Sequence, residues 1–153
     1  MKIGFTGTQV GMTRKQKNVF EKCILQIVML ESVEFHHGDC VGSDEQASRI
    51  IHKYGMKIVI HPPMDRKKRA FCKYDKIVKE KPYLVRNRDI INDTEILFAT
   101  PKEEFEVLRS GTWSTIRYAL KLNKDVIIIY PSGVVEEKGR YNVGNQTSVG
   151  SGS

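Results

Sequence analysis

The chain has 153 residues, 40% of them hydrophobic and 28% charged, with a formal net charge of +7 and a pI of about 9.3. That length suits one domain around a single core, and the composition is that of a globular chain rather than a repetitive one. No apolar run approaches the ~20 residues of a membrane span, and the scattered Cys23, Cys40 and Cys72 form no disulfide framework or close metal-ligand spacing.

The cysteines read as reduced thiols, and Met1 leads directly into a strand without a signal-peptide pattern. A cytoplasmic protein is expected. Lys2 to Thr6 is the first strand, followed by the glycine-bearing loop Gly7-Thr8-Gln9-Val10-Gly11. Thr13 with Gln16 three residues on is a capping-box pattern. Phe20, Cys23, Ile24, Ile27 and Val28 then recur at helical spacing, which predicts a helix from Arg14 to Leu30. Val33 to His37 is a second strand, and Gly38 to Gly42 a turn. Ser43 or Asp44 caps a second helix with Ala47, Ile50, Ile51 and Tyr54 on its inner face, ended by Gly55. Ile58 to Ile60 is a third strand, stopped by Pro62-Pro63.

Asp65 to Lys79 reads as a strongly basic helix broken by Lys81-Pro82, and Tyr83 to Ile91 as a shorter one. Ile96 to Ala99 is a fourth strand. Ser110-Gly111-Thr112 is a tight turn feeding a helix from Trp113 to Leu122, and Val126 to Tyr130 is a fifth strand. Residues 1–137 form the expected domain. From Lys138 to Ser153 no apolar face is left to bury, which predicts a flexible tail.

Strands alternating with helices imply an α/β fold: a mostly parallel, five-stranded sheet covered by helices on both faces. Such sheets bind ligands beyond the carboxyl ends of their strands. The distinctive loops all fall there: Gly7, Thr8 and Gln9 after the first strand, Asp39 and Gly42 after the second, Pro62 after the third. Pro101 and the Arg109 turn come after the fourth. A nucleotide-sized cleft on that rim is the expected site.

Each motif has a chemical reading. Ser110, Gly111 and Thr112 open a helix whose first amides favour an anion, with the planar cation of Arg109 beside them. Gly7 and Thr8 offer amides and a hydroxyl, but neither the dinucleotide fingerprint nor a Walker A lysine is present. Asp39 is read as a ligand contact for ribose hydroxyls or a base amine, and Asp44 as either a cap or a ligand. Arg88 is preferred over Arg86 for the cleft, with Asn87 as an amide contact. Trp113, the single Trp, packs in the core or stacks on a base. His36 and His37 point to opposite faces of their strand. Zinc on Cys40 with His36 or His37 is weighed and set aside, so no metal and no cofactor are expected.

From Asp65 to Asp89, ten basic residues stand against four acidic ones, six of the chain's seven net positive charges. The segment reads as a solvated face or as a surface for anionic partners. Without aromatic interleaving it is a poor stacking platform.

Gly-Phe-Thr-Gly-Thr, His-Gly-Asp-Cys-Val-Gly-Ser-Asp, Arg-Asn-Arg-Asp-Ile-Ile and Arg-Ser-Gly-Thr-Trp occur in this order. Together they resemble the SLOG superfamily of Rossmann-like nucleotide-binding domains, over roughly Met1 to Ser132. The resemblance implies a Rossmann-like three-layer sandwich. In the DNA-processing protein A branch, whose members bind single-stranded DNA, the matching stretches are Arg86 to Ile90 and Ser110-Gly111. In the LOG branch of cytokinin-activating phosphoribohydrolases, Gly-Thr aligns with Gly111-Thr112, but Thr115 stands where that motif has its catalytic Glu.

The expectation is therefore a protein, read as a homo-oligomer, that binds a nucleotide or nucleotide-derived ligand. As in SLOG sensors of antiphage systems, it would sense or sequester that ligand. An N-glycosidase or phosphoribohydrolase using Asp39, and a single-stranded DNA-binding protein, are the alternatives.

Overall fold

Alternate residues of the central strands enter two different cores, and that alternation sets the architecture. The structure, a computed structural model, describes residues 1–139; most of the expected tail, residues 140–153, lies outside the described residues. The strands are β1 (Lys2–Gly7), β2 (Glu34–His37), β3 (Lys57–Ile60), β4 (Lys76–Ile77), β5 (Ile96–Thr100), β6 (Asp125–Ile129) and β7 (Val135–Lys138). The helices are α1 (Arg14–Val28), α2 (Ser43–Lys53), α3 (Tyr83–Asn92) and α4 (Gly111–Lys121).

The sheet order is β4-β3-β2-β1-β5-β6-β7, parallel except for the β6–β7 hairpin. Ile3, Phe5, Phe35, Phe98 and Ile129 pack with Phe20 and Ile24 of α1 and Ala47 and Ile51 of α2. Their neighbours Leu97, Ala99, Val126 and Ile128 pack instead with Ile91 of α3 and Trp113, Ile116 and Ala119 of α4. Phe5, Phe20, Phe35 and Phe98 form a ring cluster with centroids 5.4–5.9 Å apart. Each such ring contributes about 1.5–3 kcal/mol by burial. The capping box forms as the sequence predicts. Gln16 also carries its amide into the core, donating to the Pro101 and Ile129 carbonyls at 2.8 and 2.9 Å.

The sheet has seven strands rather than the expected five. β4 is only two residues long and exists because β3 offers it an edge. β7 has an unremarkable polar sequence and is folded back by a turn at Ser132-Gly133, reaching Lys138, one residue into the expected tail. The basic helix expected over Asp65 to Lys79 is absent: a single 3-10 turn (Arg66–Lys68) and extended chain leading to β4 take its place. A helix there would stack like charges such as Arg69 and Lys73 four residues apart. Extended, the chain lets the Asp75 carboxylate accept from Ile58 N–H at 2.7 Å.

α3 lies close on β1 because Gly4 has no side chain. A Cβ there would come within 2.8 Å of Thr94 Oγ1 and 3.1 Å of Ile90 Cγ2. Gly4→Ala is expected to cost about 1–3 kcal/mol by overpacking, measured as a lower urea midpoint with an unchanged slope.

Candidate functional site

The β1–β5 pair is where the chain order reverses: β2, β3 and β4 lie to one side of β1, while β5, β6 and β7 lie to the other. At this switch point the carboxyl ends of β1 and β2 meet the starts of α2 and α3. A narrow crevice opens there, lined by Gly7, Gln9, Gly38, Asp44, Arg86 and Asn87, with Cys40 and Tyr83 at its sides. Its free volume is about 10 Å³, room for roughly one water.

Arg86 dominates it. Its side chain comes from the buried face of α3, one turn before Ile90, and the residue is 3% exposed. Nη1 donates to the Gly38 carbonyl and, at 3.2 Å, to the His61 carbonyl; Nε donates to Asn87 Oδ1 at 2.8 Å. Nη2 has only a 3.5 Å contact with Cys40 Sγ, so it is the spare donor. The Tyr83 ring lies under the guanidinium, 4.9 Å from centroid to Cζ. Gly38 is required by this arrangement, since any Cβ there would overlap the guanidinium. Arg88, the residue preferred from the sequence, points outward and stacks on Tyr118 at 5.3 Å. The signal for Arg86 was present in the sequence: it sits four residues before buried Ile90, on the face that meets the sheet.

Asp44 faces the same space. It does not cap α2: Gly42 holds the N-cap position, and Asp44 Oδ2 accepts from Cys40 N–H at 3.2 Å. Burial pushes its carboxyl up to about 6, against the pull of Arg86. Gly42 has φ of 93° and sits against the Gln9 carbonyl, where a side chain would clash.

Asp39 does not face the crevice. It is 0% exposed, and both carboxylate oxygens are taken. Oδ1 accepts from Cys72 N–H at 2.8 Å and Oδ2 from Arg69 Nε at 2.9 Å. The expected ligand or catalytic carboxylate is a tie between the β2 turn and the segment after β3. The loop amides around Thr8 are also largely committed. Thr8 N–H donates to the Thr100 carbonyl, Gly11 N–H to the Thr8 carbonyl, and Val10 N–H to Thr8 Oγ1.

The α4 start is near but separate. Ser110 caps it by accepting from Trp113 N–H at 3.2 Å, and Gly111 leaves room for the Tyr83 hydroxyl. Tyr83 thus bridges the crevice to the Gly111–Thr112 turn. Arg109 is exposed beside that turn. Trp113 is a core residue, 2% exposed, donating to Glu103 Oε1 at 3.2 Å; it is not a stacking surface. Thr115 donates to the Gly111 carbonyl at 2.9 Å. Pro62 and Pro101 are buried and line none of this crevice.

His36 and His37 take opposite faces, as the alternation predicts. His37 Nδ1 accepts from Asp39 N–H at 2.9 Å, which fixes the neutral ring with Nε2–H donating to Ser48 Oγ at 3.1 Å. His36 Nδ1 and His61 Nε2 share a hydrogen bond of 2.8 Å, and Glu34 meets His36 Nε2 at 2.8 Å. His36, His61 and Asp93 bring ligand-type atoms within 4.8 Å of one another, away from Cys40, whose thiol meets Arg86 instead.

Burial lowers His37 to about 4 and His61 to about 3. Their folded values lie below the ordinary 6.5, so the unfolded chain binds more protons in that window. Their contribution is full above pH 6.5 and is lost as pH falls toward 4 and 3. Asp44, raised to about 6, acts in the opposite sense, but two imidazoles outweigh one carboxyl. The urea midpoint is expected to fall between pH 7.5 and 5. His37→Gln, which takes no proton, should flatten that fall.

No protein-family model matches the chain, and no curated protein sequence does. Solved structures do. The molybdenum cofactor binding protein from Rippkaea orientalis superposes with a TM-score of 0.63 at 23% identity, covering 84% of this chain and 76% of that one. The Moco carrier protein from Chlamydomonas reinhardtii gives 0.62 at 18%, covering 83% and 74%. DNA processing protein A from Helicobacter pylori gives 0.60 at 16%, covering 98% and 73%. The chain shares the Rossmann-like α/β fold of these structures.

Proposed function

We propose that this chain binds a nucleotide or nucleotide-derived ligand in the crevice between β1, β2, α3 and the start of α2. The observation that carries the reading is Arg86: a buried guanidinium at the switch point with a spare donor and a buried carboxyl, Asp44, beside it. Buried charge of both signs at a strand-end crevice is costly for folding alone and suits a ligand bearing donors and acceptors. The fold neighbours add support at the level of fold, since one is named for binding a molybdenum cofactor, one as a Moco carrier and one for binding single-stranded DNA.

On this reading Gly7, Gln9, Asp44 and Asn87 contact the base or ribose. The amides of Gly111 and Thr112, with Arg109, receive the anionic end. The crevice is closed in the described conformation, so the ligand enters by displacing the Tyr83 ring, which joins the two halves. Association of copies of the chain would suit a sensor or sequestering protein.

Arg109→Ala is expected to weaken nucleotide binding by about 1.5–3 kcal/mol, the scale of a hydrogen bond to a charged group. Calorimetry with nucleoside mono- and diphosphates measures it, and an unchanged affinity removes Arg109 from the site.

Binding without hydrolysis is the second expectation. Cleaving an N-glycosidic bond needs a carboxylate able to activate water or stabilise an oxocarbenium ion. Thr115 has no charge, both oxygens of Asp39 are occupied, and Asp44, the one carboxyl lining the crevice, is held by the Cys40 N–H. Chromatography after long incubation of nucleoside monophosphates and ADP-ribose derivatives with excess protein should show no free base. Free base that disappears in Asp44→Asn, with binding retained, would make the protein an enzyme.

A further inference from the structure

His61 Nδ1 is buried and has no hydrogen-bond partner among the described residues. Its ring pairs with that of His36, and neither lines the crevice. The protons of the pair can be placed one after another. The Glu34 carboxylate only accepts, so His36 Nε2 carries the proton of their 2.8 Å bond. His36 Nδ1 then holds a lone pair, and His61 Nε2–H donates to it at 2.8 Å. His61 Nδ1 is left as a bare lone pair in a residue 2% exposed. A buried acceptor without a donor costs stability, and packing alone gives no reason to keep it.

Three chain segments converge on this pair. His36 is on β2, His61 follows β3, and Asp93 is the C-cap residue of α3. Ligand-type atoms of the three lie within 4.8 Å of one another. Both rings are buried, while Asp93 reaches solvent and is free to adjust its rotamer. Asp93 also stands at the negative end of the α3 dipole, where a cation is favoured. Glu34, on the other nitrogen of His36, supplies the carboxylate–histidine arrangement that fixes the tautomer of a metal-bound ring. Two ring nitrogens on one tetrahedral ion stand about 3.3 Å apart, given metal–nitrogen bonds of about 2.0–2.1 Å. The 2.8 Å separation of the two rings needs to widen by only about half an ångström.

We infer that His36, His61 and Asp93 form a site for a divalent transition-metal ion of the zinc type, bound through His36 Nδ1, His61 Nε2 and the Asp93 carboxylate, with water in the fourth position. The ion takes the place of the hydrogen between the rings. His61 stays neutral: Nε2 gives up its proton and the bare Nδ1 carries one, so no proton is released overall. Imidazole donors select such ions over magnesium and calcium, which prefer oxygen ligands. The ion ties the end of α3 to β2 and β3. The His61 carbonyl already accepts from Arg86 at 3.2 Å, so the tie adjoins the central cation of the crevice while sharing no side chain with its lining.

Calorimetric titration of zinc into the metal-free full chain tests this, with thermal melts at saturating zinc. One ion per chain is expected, with a raised thermal midpoint and no response to magnesium. Cobalt in the same site should give the strong visible absorption of a tetrahedral ion, and zinc should bleach it. Ring resonances of His36 and His61 should shift on zinc addition while those of His37 and His52 stay. Asp93→Asn, at an exposed position, should fold as before and bind zinc at least about tenfold more weakly. Glu34→Gln keeps an acceptor for His36 Nε2–H but loses the charge, and should weaken binding roughly tenfold. His61→Gln should abolish binding; if that variant does not fold, Asp93→Asn and the ring resonances decide. No binding, binding unchanged in Asp93→Asn, or shifts confined to His52 would overturn the inference. So would zinc binding lost in Cys23→Ser or Cys72→Ser, which would assign the ion to a thiol.

Discussion

Arg86 is a cation sealed beneath the ends of β2 and β3, and a sealed cation must have its donors satisfied in place. The Gly38 and His61 carbonyls do this for Nη1, and so fix how α3 lies against the sheet. Gly38 gives up its side chain for the purpose, and Asp44 supplies the opposite charge from the start of α2. Three elements distant in sequence are thereby held to one turn, and the crevice is the space left between them.

The same turn is braced from its other side by Asp39. Its backbone N–H locks the His37 tautomer, and its carboxylate reaches across to residues 69 and 72. One short stretch, Gly38 to Cys40, thus organises both the crevice and the groove lined by Phe71. A carboxylate placed this way is a structural clamp. The clamp explains why a run rich in lysine adopts a defined extended path instead of a helix.

The two surfaces differ in their physics. The crevice is buried, nearly closed and built from fixed charges whose hydrogen bonds are almost all made. Opening it means moving Tyr83, which touches both the guanidinium and the α4 start. The groove beside Phe71 is open, with side chains of both charge signs, Glu45 among Arg49, Lys53 and Lys73, along its walls. No helix among the described residues is long and apolar enough to cross a membrane.

Periodicity alone determined much of this molecule. The strand-helix alternation, the capping box at Thr13, the opposite facing of His36 and His37 and the positions of four helices were legible because each depends on local spacing. The strand-end loops were legible as a rim for the same reason. What only the tertiary structure decided was which side chains reach that rim. Asp39 and Arg88 looked like ligands and are a clamp and an outward cation, because hydrogen-bond partners thirty residues away claim the first and helix phase turns out the second. Arg86 looked like the lesser choice and became the centre of the crevice, because its burial depends on carbonyls brought together by two other strands. β4 and β7 carried no hydrophobic signal of their own: an edge strand is made by the neighbour that offers it hydrogen bonds, and backbone hydrogen bonds leave no apolar pattern in the sequence.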